Sequence, residues 1–323
     1  LEDKFKKEVE MIAVQINSYG GNEVITINKN ALMPVPSSSQ VLIEVNAAGL
    51  NPVDSAIRAG YLKEILPLKF PATLGGDFSG VIVKVGEGVS NFKKGDKVYG
   101  QAIVWNGGSG SLAEFVAANA VNTGKQPKNI KDIEAASLPL AGVSALQALE
   151  EHIKLKAGQK ILIHGGAGGI GSIAIQIAKA LGGYVATTAS AKDKDYVKKL
   201  GADKVIDFRN EAFEEILKDY DAVFDTAGGE TTNKSFRVIK NGGVLVTLAG
   251  QPDQVLAEKY HVIAIGQMTD TNTPRLNRLA ELVDSGKIKA QIDKVFPIDQ
   301  ASEAFKHLSE GHPRGKVMVK IKG

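Results

Sequence analysis

The run Lys160-Ile-Leu-Ile-His-Gly-Gly-Ala-Gly-Gly-Ile-Gly-Ser-Ile-Ala-Ile-Gln-Ile-Ala-Lys179 constrains the fold of this chain more than any other stretch. Ile161, Leu162 and Ile163 form a short apolar segment that stops at glycine, after which Ile170, Ile173, Ala174, Ile177 and Ala178 recur at helical spacing. The pattern predicts strand, tight turn and helix. Gly166, Gly168 and Gly171 have the G-x-G-x-x-G spacing, in which missing side chains let the backbone bend, approach a pyrophosphate and pack the helix on the strand. The amides at the helix start, at Gly169 and Ile170, then face the anion. Such a turn alone is a weak signal, because other α/β proteins also carry glycine-rich turns.

The residues downstream of the turn strengthen it. Residues 184–188, 204–207, 222–224 and 243–248 read as strands, with helical patterns at 192–200, 212–217 and 231–239 between them. This alternation predicts a parallel, doubly wound sheet. Ahead of the turn the character is β: residues 10–16, 23–28, 41–46, 80–88, 94–100 and 112–116 read as short strands, and 31–40 as a proline- and serine-rich connection. Val41, Ile43 and Val45 alternate onto one face, and such a set usually closes into a small barrel or sandwich. Residues 131–150 turn alanine- and leucine-rich and mark a junction. A long helix over 271–286, a strand at 291–296, a helix at 300–308 and a strand at 315–321 finish the chain, and the last two strands are expected to rejoin the first domain. The expected layout is therefore a discontinuous β-rich domain, 10–136 with 271–323, around a nucleotide-binding domain, 137–270. A length of 323 residues is consistent with two cores.

Composition excludes several classes. Lys and Arg (39) nearly balance Asp and Glu (36), and no polybasic block points to nucleic acid. Cysteine is absent, so neither a disulfide framework nor a thiolate metal site can form. The five histidines show no H-x-x-x-H spacing. The leader, residues 1–10, is too charged for a secretory signal, and glycines interrupt residues 161–178 too often for a membrane span. A cytosolic enzyme fits these features.

Further segments carry a resemblance: Ala47-Ala-Gly-Leu-Asn-Pro-Val-Asp54, Leu74-Gly-Gly-Asp-Phe-Ser-Gly80, Gly95-Asp-Lys-Val-Tyr-Gly100, the turn at 165–171, Leu200-Gly-Ala202, Asp225-Thr-Ala-Gly-Gly229 and Arg314-Gly-Lys-Val317. With these the chain resembles the medium-chain dehydrogenase/reductase superfamily, and within it the zinc-independent, zeta-crystallin-like quinone oxidoreductases. The resemblance implies a Rossmann-type sheet with a discontinuous GroES-like barrel domain. The superfamily's zinc enzymes place cysteine, histidine and cysteine around a metal, whereas the first region of this chain reads Gly49-Leu50-Asn51 and the histidine-type position reads Gly76. An acceptor already activated by conjugation is thereby favoured over a simple ketone or alcohol. The Tyr-x-x-x-Lys pair of short-chain dehydrogenases is missing.

A carboxylate about 20 residues after the glycine turn normally binds the ribose of NAD. Here Thr188, Ser190 and Lys192 stand in that region, two hydroxyls and a cation suited to the 2′-phosphate of NADPH. Related reductases carry a basic residue at the position of Lys192 and often a tyrosine at that of Phe208, which is equally readable as core. The resemblance further implies that Pro52, Val53 and Asp54 lie near the nicotinamide with Asn51, while Ser144, Leu248, Ala249, Gly250 and Ile265-Gly266 line its other side. Asn51 is the first candidate to donate a hydrogen bond to a substrate carbonyl, although an Asx turn before Pro52 is an equal reading. Tyr61 and Trp105 are candidate wall residues, Tyr61 being counted with the catalytic group. Asp54 is expected to orient Arg58 one turn later.

The expected function is hydride transfer from NADPH to a small-molecule quinone, enone or enal. Alternatives are an enoyl-thioester reductase and a non-catalytic NADPH-binding protein of crystallin-like or regulatory type. A homodimer is expected, with no nucleic acid, membrane or metal as partner.

Overall fold

The computed structural model describes residues 9–322, so most of the charged leader lies outside the described residues. The chain forms two compact units. One comprises the residues up to Leu140, Thr271–Ala280 and the chain from Ile292 onward; the other comprises Ala141–Asp270 and Glu281–Gln291.

In the first unit, strands β1 (Glu10–Ile16), β2 (Ile25–Leu32), β3 (Gln40–Leu50), β4 (Ala72–Thr73), β5 (Asp77–Val85), β6 (Lys97–Gln101), β7 (Phe115–Asn119) and β8 (Thr123–Lys125) come first. The second unit supplies β9 (Lys160–Ile163), β10 (Tyr184–Ala189), β11 (Lys204–Asp207), β12 (Tyr220–Asp225), β13 (Ile239–Thr247) and β14 (Ile263–Gly266). The chain then returns to the first unit with β15 (Ile292–Pro297) and β16 (Lys316–Lys320).

Strand β3 is the spine of the first unit. One of its edges pairs with β5, and the other is shared between β7, along residues 40–44, and β16, along residues 47–50. The expected return of the last strand is thus an antiparallel ladder in which Val317 faces Leu50 and Val319 faces Ala48. Val41, Ile43 and Val45 are buried, as their alternation predicts, against Phe78, Ile82, Val98, Val116, Phe305, Val317 and Val319. A smaller sheet of β2, β1 and β4 completes the unit.

The second unit is a six-stranded sheet in the order β11-β10-β9-β12-β13-β14. All its pairings are parallel, which gives the doubly wound Rossmann arrangement with its change of direction between β9 and β12. The helix expected over 231–239 is shorter, Glu230–Ser235. Val238 and Ile239 are buried β-branched residues that join the sheet instead: Val238 accepts the amide of Tyr220, and Ile239 lies opposite Tyr220 in the ladder. Glu281–Gln291 packs with this unit rather than staying with the rest of 271–323. There the side chain of Gln176 clamps the backbone of Lys289 by donating to its carbonyl at 3.1 Å and accepting its amide at 2.9 Å, beside buried Leu282 and Ile288.

Candidate functional site

The turn between β9 and the helix Gly169–Ala180 is shaped by what its glycines touch. A Cβ at Gly166 would run into the hydroxyl of Thr187, and one at Gly171 into the carbonyl of Gly165. At Gly168 it would meet only the Gly165 oxygen at 3.4 Å, ordinary contact distance. Two glycines are therefore demanded by packing, whereas Gly168 fronts open space at the helix N-cap. The first helical amides, at Gly169 and Ile170, have no acceptor within the helix. A helix start that presents such amides fits a pyrophosphate.

The turn is braced by a histidine that sequence reading left without a role. His164 is fully buried, and burial lowers its pKa to about 4 against the opposing charges of Asp225 and Glu214, so the ring is neutral. The hydroxyl of Ser235 donates to the carbonyl of Thr231 at 2.7 Å and so accepts from His164 Nε2 at 3.0 Å. The other ring nitrogen, Nδ1, then accepts from Thr188 at 3.1 Å, while the Thr188 oxygen accepts the Gly165 amide at 3.2 Å. This chain corrects one expectation: Thr188 spends its hydroxyl on the turn, not on a 2′-phosphate. Ser190 is corrected likewise, because it is buried and its hydroxyl donates to the carboxylate of Asp193.

Lys192 remains exposed beyond β10. Phe208 is also not core, being 56% exposed, and its amide bonds the carbonyl of Ala189 at 3.3 Å. The guanidinium of Arg209 stacks over the Phe208 ring at 5.6 Å. The end of β11, held against the last residue of β10, therefore carries an aromatic surface with Arg209, a cation missed in the sequence although it directly follows Phe208.

At the carboxyl ends of the next strands, buried Asp225 accepts the amides of Ala227 and Gly228 at 2.9 and 3.0 Å and the Thr232 hydroxyl at 2.5 Å. Leu248 is half-buried, and Ala249 and Gly250 are exposed. A Cβ on Gly266 would strike the carbonyl of Gly250, so the segments after β13 and β14 pack closely, with Ile265 half-buried beside them. Ser144 is buried with its hydroxyl 2.7 Å from that of Thr269.

In the first unit, Asn51 starts the helix Pro52–Ala59, and its amide donates to Asp54 Oδ2 at 2.8 Å. Its side chain, however, serves neither an Asx turn nor this cap. Asn51 is 4% exposed, and its Nδ2 donates to Asp77 Oδ2 at 2.9 Å while its Oδ1 accepts from the Lys316 ammonium. Lys316 also donates to the Leu50 carbonyl at 2.9 Å and to Asp77 at 3.3 Å. Burial pushes the Asp77 carboxyl above its ordinary range, opposed by Lys316, the Asn51 amide and the Leu140 N–H. Sequence reading missed both Asp77 and Lys316; the available signal was a lysine opening an otherwise apolar strand, Lys316-Val-Met-Val319.

Two further expectations are corrected. Arg58 does not pair with Asp54; it donates to the carbonyl of Gly20 and to Asn22, and lies 5.2 Å from the Phe305 ring centre. Asp54 Oδ1 is buried with no hydrogen-bond partner among the described residues. Burial carries this carboxyl from 3.8 to about 7, against the Asn51 amide, with Asp77 adding to the rise and Lys316 opposing it. Tyr61 is not part of the Asn51 cluster: left-handed Gly60 ends the helix and leaves the Tyr61 ring 83% exposed. Trp105 is 44% exposed in a short turn. Among the described residues no cluster of three or more metal-ligating side chains forms.

Residues 37–128 match the family model described as alcohol dehydrogenase GroES-like domain, and 200–319 that described as zinc-binding dehydrogenase. A chloroplast envelope quinone oxidoreductase homolog of Arabidopsis thaliana is 35% identical over 96% of this chain and 98% of its own length. The chain belongs to the quinone oxidoreductase group of the medium-chain dehydrogenase/reductase superfamily. Another member of this superfamily, the chloroplastic NADPH-dependent alkenal/one oxidoreductase of the same plant, is 39% identical over 96% of this chain and 79% of its own. The quinone oxidoreductase of Coxiella burnetii superposes with a TM-score of 0.88 at 34% identity, covering 97% of this chain and all of that one (100%). Although the second family model is described by zinc, this member has no cysteine to supply thiolates.

Gly171→Ala is expected to lower stability by about 1–3 kcal/mol through overpacking, whereas Gly168→Ala changes it by less than about 0.5 kcal/mol. Chemical denaturation of the two variants checks this, and equal losses would contradict the contacts described. A carboxyl whose pKa is raised in the folded state contributes stability that is complete below its unfolded value and is lost as pH rises through the folded value. For Asp54 that window runs from about 4 to about 7. Asp54→Asn, which still accepts the Asn51 amide, is therefore expected to gain in melting temperature over the parent as pH rises from 4 to 8. A difference that does not vary with pH would show that Asp54 is ionised throughout.

Proposed function

We propose that this protein is an NADPH-dependent oxidoreductase that reduces a quinone or the C=C bond of an α,β-unsaturated carbonyl. The observation that carries this reading is the set of helix-start amides at Gly169 and Ile170, with the exposed cations Lys192 after β10 and Arg209 after the neighbouring β11, in the region where an acid would select NAD. The acceptor class is supported by the names of the relatives, a quinone oxidoreductase homolog and an NADPH-dependent alkenal/one oxidoreductase.

When bound, the cofactor supplies a hydride. In this reading the amides of Gly169 and Ile170 bind the pyrophosphate, Lys192 and Arg209 attract the 2′-phosphate, and the Phe208 ring offers a flat face to the adenine. In the second unit, Ser144, Leu248, Ala249, Gly250 and Ile265 are proposed to shape the nicotinamide end. Asn51 donates to the carbonyl oxygen of the acceptor, where negative charge grows as reduction proceeds, and so lowers the barrier. Water supplies the proton that completes the product.

The test is consumption of NADPH with a panel of quinones, enals and enoyl-CoAs. Turnover of quinones or enals supports the proposal, turnover confined to enoyl-CoA makes the protein a thioester reductase, and binding without turnover makes it a non-catalytic NADPH-binding protein. In Lys192→Ala the Michaelis constant for NADPH is expected to rise about tenfold, one lost charged contact, with NADH little affected. An unchanged constant removes Lys192 from the site.

The protein is further proposed to be a homodimer formed through β14, an edge strand of the Rossmann sheet. Ile263 on that strand is 57% exposed, and Val255 and Met268 nearby in sequence are 74% and 70% exposed. Sedimentation of Ile263→Lys is expected to show monomer where the parent sediments as dimer; a dimeric variant places the interface elsewhere. No described helix is long and apolar enough to cross a membrane. A cytosolic location is proposed from the cysteine-free composition, while relatives named chloroplastic show that the family occupies other compartments too.

A further inference from the structure

The ammonium of Lys316 is buried and donates to three oxygens: the Leu50 carbonyl at 2.9 Å, Asp77 Oδ2 at 3.3 Å and the side-chain oxygen of Asn51. Ammonium has three protons and no lone pair. Every proton of Lys316 is thus committed, and it has none to offer an acceptor directly.

Its effect on Asn51 is specific. A side-chain amide has a donor end and an acceptor end, and burial between the donor-only ammonium of Lys316 and Asp77, whose oxygens face the donors Asn51 Nδ2, Lys316 Nζ and the Leu140 N–H, permits one orientation: oxygen toward Lys316 and nitrogen toward Asp77. Turning the amide over would put N–H against ammonium and C=O against carboxylate. In the observed orientation one N–H is taken by Asp77 and the other is left for a further acceptor. Withdrawal of electron density at the amide oxygen also strengthens its N–H as a donor.

We infer that Lys316 is the positioning residue for Asn51: its tethered cation fixes and polarises the amide that donates to the acceptor carbonyl. The inference rests on the role given to Asn51 above. Asp77 is the counter-ion that keeps the pair neutral as a whole, and Lys316 touches neither acceptor nor cofactor.

The test is a double-mutant cycle between Lys316→Met and Asn51→Ala, read in two ways with correctly folded protein. Where Lys316→Met alone does not fold, it is made in an Asp77→Asn background and compared with Asp77→Asn alone, because Asp77 itself holds the Asn51 amide and the double change leaves no Asp77 carboxylate buried without its cation. With Asn51 present, the lysine change is expected to lower kcat for the quinone or enal by about a hundredfold, the lower end of the roughly 10²–10³-fold cost of losing a carbonyl-oxygen donor. The dissociation constant for NADPH should stay within about twofold, less than half a kcal/mol. In the Asn51→Ala background the same change should alter kcat less than about twofold, because groups acting through one another are not additive. The second readout is the affinity for a saturated ketone that cannot be reduced, measured with NADPH present; it should fall with the lysine change only while Asn51 is there. Equal losses with and without Asn51, or no loss in either, would overturn the inference. Absence of turnover in the unaltered protein would instead overturn the proposed activity, and the ketone-binding cycle would still decide the role of Lys316.

Discussion

An ammonium group cannot leave water unless each of its protons meets an oxygen, and that requirement governs the first unit of this protein. The three acceptors of Lys316 come from the end of β3, from the residue that starts the helix Pro52–Ala59, and from the first residue of β5. They converge only if β3 and β16 pair in the register that sets Val317 against Leu50, and only if β5 pairs so that Asp77 lies across from Gly49. A slip of one residue in either ladder would reverse the facing of the side chains and strand two buried charges. Packing of Val317, Val319, Phe78 and Ile82 into the same core favours that register independently. The hydrophobic and the polar requirements thus select the same arrangement.

The second unit meets a different requirement with comparable economy. Its turn must stay open to an anion and yet remain rigid, although glycine is the most flexible residue available. Close packing at Gly166 and Gly171 removes part of that freedom, and the chain of hydrogen bonds from Gly165 through Thr188, His164 and Ser235 to Thr231 removes more. Because the imidazole is neutral and each nitrogen has one defined partner, the network spends no buried charge.

Periodicity made the architecture readable. The parallel sheet was legible in apolar segments alternating with helical patterns, and the returning strands in the β character of the last residues. What periodicity does not encode is which way a particular polar side chain turns. Thr188 and Ser190 stand at the expected place in the chain, but their hydroxyls point inward to His164 and Asp193. Asp54 and Arg58 have ideal helical spacing, yet Arg58 finds Gly20, Asn22 and Phe305 on segments far away in sequence. Lys316 is a charge at the head of an apolar segment, a signal that was passed over, and its partners lie up to 266 positions earlier, where no local pattern announces them. The exposed Phe208 with Arg209 sits between these cases, since the residues were adjacent and only their exposure was missing from the sequence.

The return of β16 to β3 also bears on how the chain matures during synthesis. Asn51 and Asp77 leave the ribosome well ahead of the lysine they contact, which lies 265 positions after Asn51. Until then the edge of β3 opposite β5 lacks a neighbour along residues 47–50, and Asp77 has no ammonium to balance it. The nucleotide-binding unit contains its own sheet and glycine turn and needs nothing from that last strand to pair its strands. A nascent chain can therefore pair the strands of its dinucleotide-binding unit before the β3–β16 ladder of the other unit can close.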